Sequence, residues 1–362
     1  MCYSPPSPRQ SDIWVSVDTM SFARVYHGAT YISQDGSVLI TGGAYASTII
    51  ASVDKYIPST GCIQPMRDMP RTRYMHSADQ LPSLSGYVVI AGGVSSIAGI
   101  LGVADLYHPV SGDIVTVSLS AARYAHKSAV LGSSQLVLIG GYNLLSAIVG
   151  SNDLINTAAN SVFVAGTTTM NEGHIYHTVT PLGNNSDLVL VTAGSNGVTV
   201  LSSAYLYHSS SNTFIALGGG VALSPARQFH AASYLPSPFN QVLITGGLGA
   251  VIYNTMILFD TVTLTFTTLT TTMTSRRYYH TSTLLPNGKI LLIGGVGTTV
   301  LSTCELIDPS NNYTATSAAS LLTARYAHTV TLIPDNVNGT VLVCGGLNSV
   351  GVTISSCELY FV

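Results

Sequence analysis

Charge is what this chain has least of. Asp, Glu, Lys and Arg make up 8% of its 362 residues, against roughly a quarter in an ordinary globular domain. The net charge is -3 with no basic run, which leaves no electrostatic footprint for nucleic acid or an anionic membrane surface. No apolar run reaches the roughly 18 residues that a membrane helix requires. The 46% of residues that are hydrophobic must therefore sit in many short segments, and neither nucleic-acid binding nor membrane insertion is expected. The cysteines are few (Cys2, Cys62, Cys304, Cys344 and Cys357), and no CxxC spacing suggests zinc. No segment carries a helical period.

What the chain has is a phrase repeated seven times. It reads Arg24-Val-Tyr-His27, Arg73-Tyr-Met-His76, Arg123-Tyr-Ala-His126, His174-Ile-Tyr-His177, Arg227-Gln-Phe-His230, Arg277-Tyr-Tyr-His280 and Arg325-Tyr-Ala-His328. The histidines are 49, 50, 51, 53, 50 and 48 residues apart. A fixed period near fifty marks a blade-type array, whose units bury their faces only against one another.

Each unit has four parts. An apolar stretch follows the His, then a turn such as Pro286-Asn-Gly288. Next comes a β-branched run ending in paired glycines, as in Val38-Leu-Ile-Thr-Gly42-Gly43. A third part reads Asp105-Leu-Tyr107 or Glu358-Leu-Tyr360, and a Thr-rich fourth follows. Short β-branched runs between Gly, Pro and Asn turns predict strands in tight hairpins. The expected fold is all-β: a seven-bladed propeller of four-stranded antiparallel blades, forming one domain over residues 12–362.

The Arg-x-x-His start, the double glycine and the Glu-Leu-Tyr-like third strand together resemble kelch repeats of the galactose-oxidase type, over essentially the whole chain. The resemblance implies a propeller fold, and it implies no single activity, because such propellers serve enzymes, adaptors, lectin-like binders and structural proteins. It also raises a copper radical oxidase as the enzymatic alternative. Such enzymes use two tyrosines, one cross-linked to a cysteine, with two histidines and a further domain. Here no Cys and Tyr stand at a matching position, and only His108, His174 and His208 lie outside the repeated histidine position. No cofactor is expected.

Repeat seven ends at the close of its third strand, Glu358-Leu-Tyr-Phe-Val362. Residues 12–20, with Trp14, Val15 and Val17, match the fourth strand of other repeats, so this segment should complete the last blade and close the ring. Closure removes an edge open to aggregation. Donated to a neighbouring molecule instead, the same strand would string subunits into an open chain. Pro5, Pro6 and Pro8 make residues 1–11 an extended segment outside the repeat. Cys344 and Cys357 fall on adjacent strands, where a bridge or two free thiols would both fit. The odd count leaves one thiol over, with Cys2 as the candidate.

Residues present seven times are expected to be structural. Acids at one position of the third strand (Asp54, Asp105, Asp153, Glu305, Glu358) are the expected partners of the repeated arginines. Repeat four lacks both members, having His174 and Tyr205, and repeat five keeps Arg227 but has Ile257. Symmetry-related histidines would sit on a wide ring, too far apart to converge on one metal. Glu172, His174 and His177 form the one local cluster with acid/base potential.

Loops carry the functional expectation. The second-to-third strand loops are unusually apolar: Tyr45, Ile49 and Ile50; Ile97, Ile100 and Leu101; Leu144, Leu145, Ile148 and Val149; Val251, Ile252 and Tyr253; Val300 and Leu301; Val350 and Val352. Exposed, they would form an interface; packed, they would lengthen hairpins between blades. The N-glycosylation sequons at Asn184, Asn312 and Asn338 fall on the opposite face. Low charge, abundant Ser/Thr and these sequons point to an extracellular or cell-surface protein. The leading expectation is a non-enzymatic structural or protein-binding module, acting on itself or on another macromolecule. A lectin-like binder of glycans through Tyr45, Tyr142 and Tyr253 is the alternative.

Overall fold

The computed structural model describes residues 11–362 apart from 82–86, 133, 146, 158–162, 166–167, 184–185, 219–222 and 335–338; of 163–165 it describes the backbone alone. Seven four-stranded antiparallel sheets stand side by side as the blades of a propeller. Blade one shows the plan: Gly28–Ile32 lies innermost, followed outward by Ser37–Thr41, Val53–Ile57 and Cys62–Met66. One short 3₁₀ turn, Pro309–Asn311, is the only helical element among the described residues.

The second strand of each blade explains the packing. Val38, Leu39 and Ile40 are all fully buried, because a strand in mid-stack has a neighbour on both faces. Alternation sends Val38 and Ile40 toward blade seven, and Leu39 toward blade two. The core is therefore seven separate layers, each shared by two adjacent blades. This is why a β-branched run without alternation is a strand here.

Ring closure follows the expected register. Ile13–Thr19 pairs antiparallel with Ser356–Phe361 of the same chain, placing Trp14 opposite Tyr360 and Val15 opposite Leu359. Trp14 and Val17 are buried, and Val15 is half-buried. The Trp14 indole donates to the Ala319 carbonyl at 2.9 Å. Its ring packs 5.1 Å from that of Tyr360. Of residues 1–11, only the last is described.

Cys344 and Cys357 form a disulfide between the second and third strands of blade seven. The free thiol among the described residues is Cys304, which is buried. Cys2, expected to be the unpaired one, lies outside the described residues, and Cys62 is disulfide-bonded. A buried position shields the Cys304 thiol from partners, and burial also pushes its pKa up to about 12.

Candidate functional site

The repeated arginine joins blades by two separate means. Its backbone belongs to the junction: at all seven positions, the carbonyl of the Arg (or of His174) accepts from the second glycine of the preceding blade at 2.8–2.9 Å. Its amide donates to a carbonyl near the start of that blade's third strand at 3.1–3.3 Å. The guanidinium then turns into its own blade. Arg277 Nη1 donates to the carbonyls of Gly294 and Thr303, and Nη2 reaches Glu305 at 2.5 Å. Arg24–Asp54, Arg73–Asp105, Arg123–Asp153 and Arg325–Glu358 repeat this ion pair. All six arginines are fully buried. Burying such charges is tolerable only with these partners.

The acid does further work, since its carboxylate oxygens also hold the turn that leads into the strand. Glu358 accepts from the amides of Leu322 and Thr323, and Glu305 from those of Thr274 and Ser275. The double glycines serve the same junction. Gly42 and Gly43 have φ of 57° and 104°, and a Cβ on Gly42 would stand 2.4 Å from the Arg73 carbonyl. Close approach and left-handed backbone both require glycine. Blade four tolerates Ala193 at the first position, with φ 54°.

The two irregular blades fill the arginine slot differently. His174 Nδ1 bonds the Ala193 carbonyl at 2.8 Å, reproducing the bond that an arginine makes to the first glycine. Its Nε2 is 4.0 Å from Glu172, whose carboxylate takes Ser203 and Asn196. The His174 and His177 rings lie 5.9 Å apart. In blade five, Arg227 finds no carboxylate. The Tyr253 ring covers its guanidinium at 4.9 Å, while Gly246 and Pro225 carbonyls and Thr255 accept its hydrogen bonds.

The seven repeated histidines form a ring around the propeller axis, where they line one cavity of about 370 Å³. The reason is the strand: a residue at the head of each innermost strand faces the axis, where seven blades converge. Six histidines bond a hydroxyl of the preceding blade through Nε2: His27 to Thr329, His76 to Thr41, His126 to Ser77, His230 to Thr178, His280 to Thr245 and His328 to Thr281. Burial holds their pKa values far down, to about 3 for His126, His230 and His328. They are neutral hydrogen-bonding groups at ordinary pH. Among the described residues no three of His, Cys, Asp and Glu meet closely enough to hold a metal ion.

Above the histidines lies a second ring, which the sequence reading did not single out. The residue before each His (Tyr26, Met75, Ala125, Tyr176, Phe229, Tyr279, Ala327) has φ of 52–56°. Consecutive members are linked backbone to backbone, as in Phe229 N to Tyr176 O and Tyr279 N to Phe229 O, both 3.0 Å. Their rings stack across the axis, with Tyr176–Phe229 at 4.1 Å and Phe229–Tyr279 at 4.0 Å. The cavity is thus lined by rings from four blades together with the histidines and the residues that follow them.

On the loop face the apolar residues divide. Ile50 and Leu101 are buried, and Ile49, Ile100, Ile148, Val149, Ile252, Tyr253, Val300 and Leu301 are half-buried against the hairpins. The tips stand in water. Ile97 is 93% exposed, Leu145 86% and Val198 (absent from the expected set) 91%. Tyr45, Leu144, Val251, Val350 and Val352 are exposed as well. Of the three tyrosines, Tyr142 stacks on Tyr124 at 5.0 Å and Tyr253 covers Arg227, while Tyr45 is 47% exposed. Asn312 is exposed on the opposite face; Asn184 and Asn338 lie outside the described residues.

No protein-family model matches this chain, and no curated protein matches it. The class that fold and site define is a seven-bladed β-propeller whose repeated polar residues are consumed in holding blades together. Among the described residues, no helix is long and apolar enough to cross a membrane.

Proposed function

We propose that this is a kelch-type propeller that works as a non-enzymatic interaction module, docking on a protein surface or on its own kind through the crown of apolar loop tips. The observation that carries this is the crown itself. Six of the seven blades present an aliphatic or aromatic tip on the same face, and exposed apolar groups clustered in this way are uncommon on a monomer. Covering one such side chain contributes on the order of 1.5–3 kcal/mol, so a few shared between partners sustain a specific contact. The ionisable side chains of the repeat support the non-enzymatic reading, because the arginines are paired or capped and the histidines are neutral.

An extracellular or cell-surface setting is the accompanying proposal. The Cys344–Cys357 disulfide suits an oxidising compartment, and the exposed Asn312 sequon points away from the crown. The test is multi-angle light scattering over a concentration series, with hydrophobic-dye binding, on the wild type and on an Ile97→Asp, Leu145→Asp, Val350→Asp triple variant. The wild type should associate or bind dye, and the variant should do neither. A wild type that remains monomeric and dark at high concentration would sink the proposal.

A further inference from the structure

Of the seven positions that follow the repeated histidine, one is charged. They read Gly28, Ser77, Lys127, Thr178, Ala231, Thr281 and Thr329. Where the residue is Ser or Thr, its hydroxyl bonds the histidine of the next blade; behind Gly28 and Ala231, Thr41 and Thr245 of the second strand take over. Lys127 occupies the place of the hydroxyl that His177 needs. His177 is accordingly the one repeated histidine without a hydroxyl partner, at 1% exposure and on the wall of the axial cavity.

Lys127 is unusual among the lysines as well. Lys55 pairs with Asp35 and Lys289 with Asp308, whereas Lys127 has no carboxylate partner among the described residues. Its side chain is exposed and lines the axial cavity. The protein wall around it lowers its pKa through desolvation. The nearest acid on an innermost strand, Asp79 of blade two, is engaged with Ser77 and Ser128. The residue before His126 in blade three is Ala125, which puts no ring above the lysine. The cavity wall near Lys127 therefore holds one positive charge without a carboxylate partner among the described residues, beside the Thr178 hydroxyl and the Tyr176 ring.

We propose that the axial cavity is a binding site for a small oxyanion, a carboxylate or phosphate group, with Lys127 as the counter-charge. Nothing else on the wall is formally charged near neutral pH, so the site selects for negative charge. At roughly 30 Å³ per water-sized group, a cavity of about 370 Å³ holds a ligand the size of an aryl carboxylate whose ring lies against the aromatic side chains. The site is separate from the loop crown and stands whether or not the crown docks a partner.

Isothermal titration calorimetry of the intact protein tests this with three probes: sodium benzoate, inorganic phosphate and neutral benzyl alcohol. Lys127→Thr is the informative variant, because it restores the hydroxyl that the other blades supply and should fold as well as the wild type by thermal melting. We expect one or both anions to bind, benzyl alcohol to bind much more weakly, and K127T to lose roughly tenfold or more in affinity. Benzoate or phosphate responding alone would tell which oxyanion fits. A second readout is ¹³C NMR of reductively methylated protein, in which the Lys127 resonance should shift and those of Lys55 and Lys289 should not. Neither anion binding, equal binding of the alcohol, or binding unchanged in K127T would each overturn the site.

Discussion

Two residues separate the repeated arginine from its histidine, yet the two layers that they form meet opposite problems. The arginine layer is fully buried between strands and keeps its charge: burial lowers Arg73 and Arg227 to about 10, still well above neutral pH. It manages this with a carboxylate and two carbonyls per guanidinium. The histidine layer faces the axis, bonds only neutral hydroxyls and gives up its charge. The same strand thus carries a layer indifferent to pH and one acutely sensitive to it. Blade five then shows how much the carboxylate matters, because Arg227 is held by a tyrosine ring, two carbonyls and the Thr255 hydroxyl.

The largest expected effect comes from acid. Burial keeps every repeated histidine well below its ordinary value of 6.5, while in the unfolded chain each protonates near that value. Their contribution is present above pH 6.5 and is lost as pH falls toward about 3. Each costs about 1.4 kcal/mol per pH unit once the unfolded form is protonated. Seven together should unfold the ring within one or two units below 6.5, with an uptake of about seven protons, followed by Trp14 fluorescence and potentiometry. A stability curve flat from pH 7 to 5 would contradict this account of the histidine layer.

Next in size is the arginine layer. Arg277→Met strands Glu305 as a buried unpaired charge and should cost about 3–5 kcal/mol. Arg227→Met strands no acid and should cost about 1–3 kcal/mol, the price of a few unsatisfied acceptors and a lost ring contact. Denaturant midpoints of the two variants give the comparison, and equal losses would mean that the carboxylates add nothing. Asp79 tests the opposite sign of pH dependence. Burial raises its pKa to about 6, so its contribution is complete below 3.8 and fades as pH rises through 6. Relative to wild type, Asp79→Asn should gain stability steadily across that window. The smallest effect is at the crown: Ile97→Asp should change the melting midpoint by less than about 0.5 kcal/mol equivalent, since the side chain touches little of its own molecule.

Much of the fold was legible because a repeat averages out local ambiguity. Six copies of Arg-x-x-His and one of His-x-x-His, five acids in register and a fourth-strand pattern at the N-terminus predicted the blades, the ion pairs and the closure by residues 12–20. The candidate site was legible in part. The column after the histidine already contained the lone lysine, but its meaning depended on where that column points. The sequence showed which loops are apolar without showing that Ile50 and Leu101 turn inward while Ile97 and Leu145 do not. It also passed over Val198, in the loop of the least regular repeat.

The amino-acid order by itself determined the number of blades, the strand pattern and the pairing of arginine with acid, because each follows from local periodicity and from what a buried charge must have beside it. Only the tertiary structure decided that seven distant histidines share one cavity, that rings from four blades line it and that Lys127 stands where a hydroxyl was due. Those facts arise from converging strands on an axis, and convergence is a property of the closed ring rather than of any segment in it.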